Sequence, residues 1–235
     1  SGKCIYGGSH NICMGYYSGL CIREGSQNVM LGYYAGRMAG RNKNSPYQDY
    51  AISQNVFIGS HAGEHIYSGN YNHMIGAHAG YCIYTGSHNQ CIGYHAGYSI
   101  TSGSNNNCMG QQAGRCIQGG SYNNCFGYYA GRNITGTGNN CFGYRAGYHI
   151  DGYSHNNCLG YRAGEHCRGS HNVHIGYHAG YSCGSGSGSV SIGNNAGYHS
   201  TGSHNVSIGD HAGYLTYGDA GCVNIGYQAG YGYSS

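Results

Sequence analysis

The chain has 235 residues, of which 47 are glycine and only 7% are charged, and its formal net charge is +3. This composition is unlike that of an ordinary globular enzyme, and the small, dispersed charge argues against binding to nucleic acid. No apolar run is long enough to span a bilayer, so membrane insertion is not expected.

A five-residue phrase, Gly-x-x-Ala-Gly, recurs along the whole chain. Thirteen copies follow one another at intervals of 16 or 17 residues, apart from one interval of 27. A fixed period of this length is typical of a repeat architecture, so we expect one continuous domain over residues 1–235. The clearest copies supply the residues Gly59, Ala62, Gly63, Gly93, Ala96, Gly97, Gly176, Ala179 and Gly180.

Each repeat reads as two short strands separated by two corners. Asn-x-x-Ile before the leading glycine forms one strand, and Tyr-x-Ile after the second glycine forms the other. Gly-x-x-Ala-Gly and a Gly-Ser turn form the corners, because glycine reaches positive φ without steric cost and alanine suits a thin core. Coils stacked about 4.8 Å apart place like residues on like, which predicts asparagine ladders and isoleucine rows.

The sequence therefore predicts an all-β fold. We expect a parallel β-solenoid, or β-roll, of about 13 coils of 16–17 residues with two short strands per coil. At the strand spacing this is a rod of roughly 60 Å.

The 27-residue interval contains an insertion over residues 37–53. It holds the single proline, Pro46, and the basic residues Arg37, Arg41 and Lys43. We expect this segment to protrude as a loop.

The two residues before the large apolar position divide the coils into zones. In the first three coils both are apolar, as in Val56-Phe57, which predicts strands buried on both faces and therefore covered. Most central coils carry a polar residue followed by cysteine. In the last four coils the sense reverses to an apolar residue followed by a polar one, as in Val173-His174, which predicts ordinary alternation between core and water.

A column of cysteines should stack its thiols at the strand spacing. The favoured interpretation is small, buried apolar residues. Vertical disulfides also fit the permitted Cα separation, whereas a metal array is disfavoured because one column gives no tetrahedral set. The total of 13 cysteines is odd and contains no CxxC pair, so a fully paired chain is excluded. The column comprises Cys91, Cys108, Cys125, Cys141 and Cys158.

Tyrosine and histidine fill the variable positions of the corner. Stacked phenols can stiffen the solenoid, or they can form a stripe that binds carbohydrate or a receptor. His61, His78 and His95 lie on successive coils and are the candidates for a metal-binding or pH-sensitive stripe; no other metal site and no cofactor is expected. The possible binding tyrosines are Tyr94, Tyr128, Tyr144, Tyr161 and Tyr177.

Catalysis is not expected, and no catalytic residue is assigned. The chain has seven carboxylates in all. Glycan cleavage needs two of them within about 5–10 Å, whereas Glu64 and Glu165 share a column roughly 29 Å apart. No nucleophile elbow or credible triad is present.

The motif Asn-Val-x-Ile-Gly-x-x-Ala-Gly, at 55–63, 172–180 and 205–213, resembles repeats of phage and giant-virus tail-fibre or surface-fibre proteins. It is also similar to the β-roll heads of trimeric autotransporter adhesins, although the period here is longer. The resemblance implies a left-handed, often trimeric β-roll with a structural or host-attachment role.

These observations predict a structural fibre or filament subunit, extracellular or on a virion surface, whose main partner is itself. The repeat runs from Cys4-Ile5-Tyr6 to Tyr231-Gly232-Tyr233 without a capping helix, which favours end-to-end stacking. The alternative is an adhesin or tail-fibre domain that binds a host glycan or receptor through its tyrosine and histidine stripes.

Overall fold

A computed structural model describes residues 8–22, 24–41 and 50–232. The chain divides into two compact units, Ser1–Tyr122 and Asn123–Ser235. Both units are parallel β-solenoids and together have about 12 turns, which confirms the predicted fold class. No helix occurs among the described residues, and accordingly none that could cross a membrane.

In the first unit, equivalent strands of successive coils pair in parallel and in register. For example, Cys91 lies opposite Cys108. One sheet has the order β1-β2-β3-β5-β7-β9, and β4, β6, β8 and β10 form the other. The strands are β1 (Ile12–Met14), β2 (Val29–Leu31), β3 (Val56–Ile58), β4 (His65–Ile66), β5 (His73–Ile75), β6 (Cys82–Ile83), β7 (Gln90–Ile92), β8 (Ser99–Ile100), β9 (Asn107–Met109) and β10 (Cys116–Ile117).

The second unit repeats this design. The two-residue strands β12 and β14 pair with each other, and the three-residue strands form the longer sheet. The strands are β11 (Asn124–Phe126), β12 (Asn133–Ile134), β13 (Asn140–Phe142), β14 (His149–Ile150), β15 (Asn157–Leu159), β16 (Val173–Ile175), β17 (Val190–Ile192), β18 (Val206–Ile208) and β19 (Val223–Ile225).

The second strand of the coil is present from His65 to Ile150 and gives way to a turn in later coils. His166 and Ser182 have φ of 63° and 52° in the place of an extended residue. In these coils Cys167 and Cys183 stand where Ile134 and Ile150 stand earlier. A β-branched residue favours the strand, and its loss removes that preference.

The Gly-x-x-Ala-Gly corners explain the glycine columns. Gly93 has φ of +132°, and a Cβ there would lie 2.7 Å from the carbonyl oxygen of Gly110 on the next coil. Backbone conformation and close approach therefore both demand glycine. Ala96 is fully buried beside it, as expected for a thin core.

The middle residue of each three-residue strand points inward, and the flanking two point outward. This corrects the prediction for the last four coils, because His174, Ser191 and Ser207 are buried at 0%, 4% and 1% exposure. It also corrects the first coils, where Ile12 and Met14 are exposed rather than covered. The corners fix which face is inside, and they override the local apolar pattern.

Asparagine forms the predicted ladder, which is buried from Asn28 onward. Asn106 Nδ2 donates to Asn89 Oδ1 at 3.0 Å and to the Gly120 carbonyl at 3.0 Å. The ladder thus satisfies side-chain and corner backbone groups together.

The insertion begins and ends at neighbouring points of the first unit. The Tyr50 N–H donates to the Gly40 carbonyl at 2.8 Å, and Ile52 is fully buried. The middle of the predicted loop, residues 42–49 with Lys43 and Pro46, lies outside the described residues, as do Cys4, Ile5, Tyr6 and Tyr233.

Candidate functional site

The cysteines of the predicted column are buried and are not joined in disulfides. Cys91 and Cys108 belong to the first unit, and Cys125, Cys141 and Cys158 to the second. Hydrogen bonding with Cys108, together with burial, raises the pKa of Cys91 well above its usual value. Hydrogen bonding with Cys141 and burial do the same to the pKa of Cys158. Protonated, water-excluded thiols fill the core and are poor nucleophiles.

The tyrosine column of the second unit is a continuous ring stack. The ring centroids of Tyr128 and Tyr144 lie 5.5 Å apart, those of Tyr144 and Tyr161 4.9 Å, and those of Tyr161 and Tyr177 5.1 Å. The rings are within 10° of parallel, so their faces cover one another. Edges and hydroxyls remain for solvent, which favours a stiffening ladder over a sugar-stacking platform. In the first unit, Tyr94 stacks on His95 at 4.1 Å.

The three candidate histidines form a column. His61 and His78 stack in parallel at 4.7 Å, whereas His78 and His95 meet edge to face at 5.0 Å. Burial, followed by the charge of His61, lowers the pKa of His78, and burial lowers that of His95. His61 Nδ1 is also engaged by Glu64. The arrangement does not favour a metal site at these residues.

The two buried carboxylates are the centres of ion pairs. Glu64 contacts His61, Arg37 at 3.4 Å and His65 at 3.6 Å. Glu165 lies 2.9 Å from Arg145 Nη2 and 2.6 Å from Arg162 Nε. Each carboxylate faces cations rather than a second carboxylate, so both arrangements suit structural ion pairing better than acid–base chemistry.

A surface depression of about 540 Å³ lies on the second unit. The rings of His149 and His166 stack along it at 5.1 Å. Burial, followed by the charge of His166, lowers the pKa of His149. Asp151 and Arg168 bring opposite charges, so the depression favours neither anions nor cations. Tyr153 completes the lining. Sequence reasoning missed this depression, although His149 and His166 share one column and Asp151 and Arg168 share another.

A second feature that sequence reasoning missed is a buried cluster of Cys167, His174 and Cys183, which we call the thiol–imidazole cluster. Cys167 Sγ lies 3.4 Å from His174 Nε2, and Cys183 Sγ lies 3.6 Å from the same nitrogen. The two sulfur atoms are 2.7 Å apart and are not bonded to each other. Among the described residues this is the one group of three or more His, Cys, Asp or Glu whose ligand atoms lie within 4.8 Å of one another.

The turn that replaces the second strand positions the cluster. Cys167 and Cys183 occupy equivalent places in successive coils, and His174 is the inward residue of β16 between them. The Cys183 thiol donates to the Cys167 sulfur, which lowers the pKa of Cys167 well below its usual value, and His174 acts in the same direction. The same hydrogen bond, together with burial, raises the pKa of Cys183. The sequence signal was available, since two cysteines replace isoleucine in one column.

Comparison with protein-family models, with curated proteins and with solved structures finds no match for this chain. The resemblance to viral and adhesin repeats is therefore supported at the level of a repetitive β-solenoid. Function has to be argued from the surfaces and clusters described above.

Proposed function

We propose that this protein is a non-enzymatic structural protein that self-associates into a fibre or filament, outside the cell or on a virion surface. The observation that carries the proposal is the outer face of the sheet of three-residue strands. This outer face consists of the first and third residues of those strands.

In the second unit the outer face is uncharged, mostly apolar and partly exposed. Leu159, Ile175 and Ile225 are exposed at 37%, 38% and 64%. No Asp, Glu, Lys or Arg occupies the first or third position of any strand from β11 to β19 in the longer sheet. An uncharged apolar row on a sheet face is a typical association surface.

The asparagines of the outer face are hydrogen-bonded to one another along their column. Asn124 Nδ2 donates to Asn140 Oδ1 at 2.8 Å, and Asn140 Nδ2 donates to Asn157 Oδ1 at 2.7 Å. Covering these amides therefore costs less than covering unpaired ones.

A second copy of the chain is the partner that fits the outer face. The face repeats the same residue types at each strand, so two copies can interdigitate in a steric-zipper manner. The chain carries few charges to oppose this contact, since only 7% of its residues are charged. Within the chain, successive coils pair through equivalent backbone hydrogen bonds. The same pairing between the end coils of two chains would supply the longitudinal contact of a filament. The extracellular or virion setting and a trimeric state rest on the motif resemblance.

The experiment compares wild-type protein with an Ile175→Lys/Ile192→Lys variant by analytical ultracentrifugation and electron microscopy. We expect the wild type to form concentration-dependent assemblies and the variant to remain monomeric. The matched control is Tyr217→Lys, at an exposed residue outside the outer face. A monodisperse wild-type monomer at high concentration, or undiminished assembly by the double variant, would contradict the proposal.

The alternative function is glycan or receptor binding through the tyrosine stripe. Its supporting observation is the exposure of Tyr94 and Tyr177, at 48% and 51%. The stacked rings offer hydroxyls and edges rather than free faces, so hydrogen bonding would have to carry recognition. A glycan array with wild type and Tyr177→Phe tests this. Binding that is lost in the variant while assembly persists would favour the alternative.

A further inference from the structure

We propose that Cys167, His174 and Cys183 bind one thiophilic d¹⁰ metal ion, Zn²⁺ or Cu⁺, in the interior of the second unit. The proposal is independent of the filament function. It rests on the geometry of the cluster, on its burial and on the unfavourable position of its imidazole.

The separations between the ligand atoms fit a metal centre. With Zn–S of about 2.3 Å and Zn–N of about 2.05 Å at a tetrahedral angle, sulfur and nitrogen lie about 3.6 Å apart. The two observed distances from His174 Nε2 to sulfur are 3.4 and 3.6 Å. The two sulfur atoms, now at 2.7 Å, have to separate by about 1 Å to reach the tetrahedral value. Rotation of the cysteine side chains can supply this change.

The ligand set selects the class of metal. Two sulfur atoms and one imidazole are soft or borderline donors, which favour Zn²⁺ and Cu⁺ over Mg²⁺, Ca²⁺ or Mn²⁺. Two thiolates also neutralise Zn²⁺, and a neutral assembly is the one that an interior tolerates best. Cys158 lies in register with His174 on the neighbouring strand and is also buried, so a third sulfur lies next to the cluster, outside the group within 4.8 Å, as the candidate fourth ligand of a tetrahedral ion.

Packing alone does not account for His174. The side chain is fully buried, and its Nδ1 has no hydrogen-bond partner. An unsatisfied buried polar atom costs about 1–3 kcal/mol. The next two coils place Ser191 and Ser207 at the same position, so the fold accepts a smaller residue there. A metal bond at Nε2, the nitrogen that both sulfur atoms already approach, would offset the cost of the unpaired Nδ1, whereas serine is not a usual ligand of Zn²⁺ or Cu⁺.

The test uses the whole chain, reduced and freed of metal with a chelator. Zn²⁺, Cu⁺ and the spectroscopic probe Co²⁺ are added separately, and bound metal is measured after gel filtration in the presence of a competing chelator. We expect one tightly held equivalent of Zn²⁺ or Cu⁺, and a Co²⁺ complex with sulfur-to-metal charge-transfer absorption. Which of the two ions survives competition identifies the metal.

The variants are His174→Ser and Cys183→Ser, which copy residues that the chain itself uses in following coils, Ser191 and Ser200. Each should weaken binding by more than about 100-fold, because even the loss of an outer-shell partner costs 10- to 100-fold. Cys125→Ser removes a buried thiol elsewhere in the same unit and should bind like the wild type. Two variants at different ligand types keep the test valid should one of them fail to fold.

Three results would overturn the proposal. The first is a wild-type chain that retains no metal against the chelator. The second is equal retention by the ligand variants and the Cys125→Ser control, which would assign the metal to other thiols. The third is a Cys167–Cys183 disulfide in protein isolated without reductant, seen as a loss of two hydrogens in the peptide mass.

Discussion

Asn72 Oδ1 accepts two hydrogen bonds from Asn89 on the next coil, one from its backbone N–H at 3.0 Å and one from its Nδ2 at 3.2 Å. Asn89 Nδ2 also donates to the carbonyl of Gly103, one coil further on, at 2.9 Å. Three coils are thus joined through one buried side chain. Such a connection ties the corner of each coil to its neighbours.

We predict that Asn89→Ala destabilises the protein by at least about 2 kcal/mol, because buried groups of Asn106 and Gly103 lose their partners. Asn89→Ser should cost less. Ser189 occupies this column in the second unit, and its Oγ accepts the Asn205 N–H at 3.2 Å. Urea unfolding followed by circular dichroism measures both variants. Equal losses would show that the ladder acts through volume alone.

Substitution of the leading glycines should separate backbone strain from steric overlap. Gly193 and Gly226 have φ of +131° and +121°, but a Cβ on Gly193 would lie 2.5 Å from the Gly209 carbonyl oxygen, whereas nothing lies within 4 Å of one on Gly226. Gly226→Ala should therefore cost about 1–2 kcal/mol from strain. Gly193→Ala should cost clearly more, or abolish folding of the second unit. The measurement is the melting temperature of each variant. Similar melting temperatures for Gly193→Ala and Gly226→Ala would contradict the role of steric overlap.

Acid should weaken the first unit through His78 and His95. Their pKa values are lowered from the ordinary 6.5. The charge of His61 adds to the lowering of the His78 pKa, whereas Glu64 opposes it. The charges of His78 and Arg115 add to the lowering of the His95 pKa. The unfolded chain then binds more protons than the folded one, so stability is complete above about pH 6.5 and falls as the pH drops below it.

The corresponding variant is His78→Gln/His95→Gln, because Gln112 occupies the same column with φ of 57°. Its urea midpoint should change less between pH 7.5 and pH 5.5 than the wild-type midpoint. His88→Gln, in another column where Gln54 is the precedent, is the control. A pH response unaltered by the double variant would assign the effect to other groups.

Loss of the buried carboxylate of Glu165 should destabilise the second unit. Glu165→Gln leaves Arg145 and Arg162 without their anion, and hydrogen bonds to charged groups are worth about 1.5–3 kcal/mol. Asp210→Asn is the matched control. That carboxylate is exposed and pairs with His211, so its loss should cost much less than the loss of the Glu165 carboxylate. Thermal melts of both proteins provide the comparison, and equal effects would contradict the role of burial.

The repeat period and the corners could be predicted from the sequence, because glycine columns report a backbone conformation that other residues rarely adopt. The asparagine ladder followed from in-register stacking. The inward face of the last coils could not be predicted from local alternation, since Val-His-Ile places its apolar residues outside. Register with the preceding coils sets the direction of His174.

The thiol–imidazole cluster was missed for a related reason. Cys167 and Cys183 lie outside the predicted cysteine column, and the alternation of Val173-His174 predicts a water-facing imidazole. Only the correct inward direction of His174 brings the three together. The inward direction of His174 follows from comparing equivalent positions of successive coils, and it does not follow from comparing neighbouring residues in the sequence.

The in-register pairing of like with like has a consequence for how such a chain changes over generations. Deletion of residues 77–93 would bring Asn72 beside Asn106 and β5 beside β9, and each new contact would be of a kind already present. Duplication of the same segment would be equally conservative. The length of the solenoid is therefore a heritable variable that recombination within the gene can adjust one coil at a time.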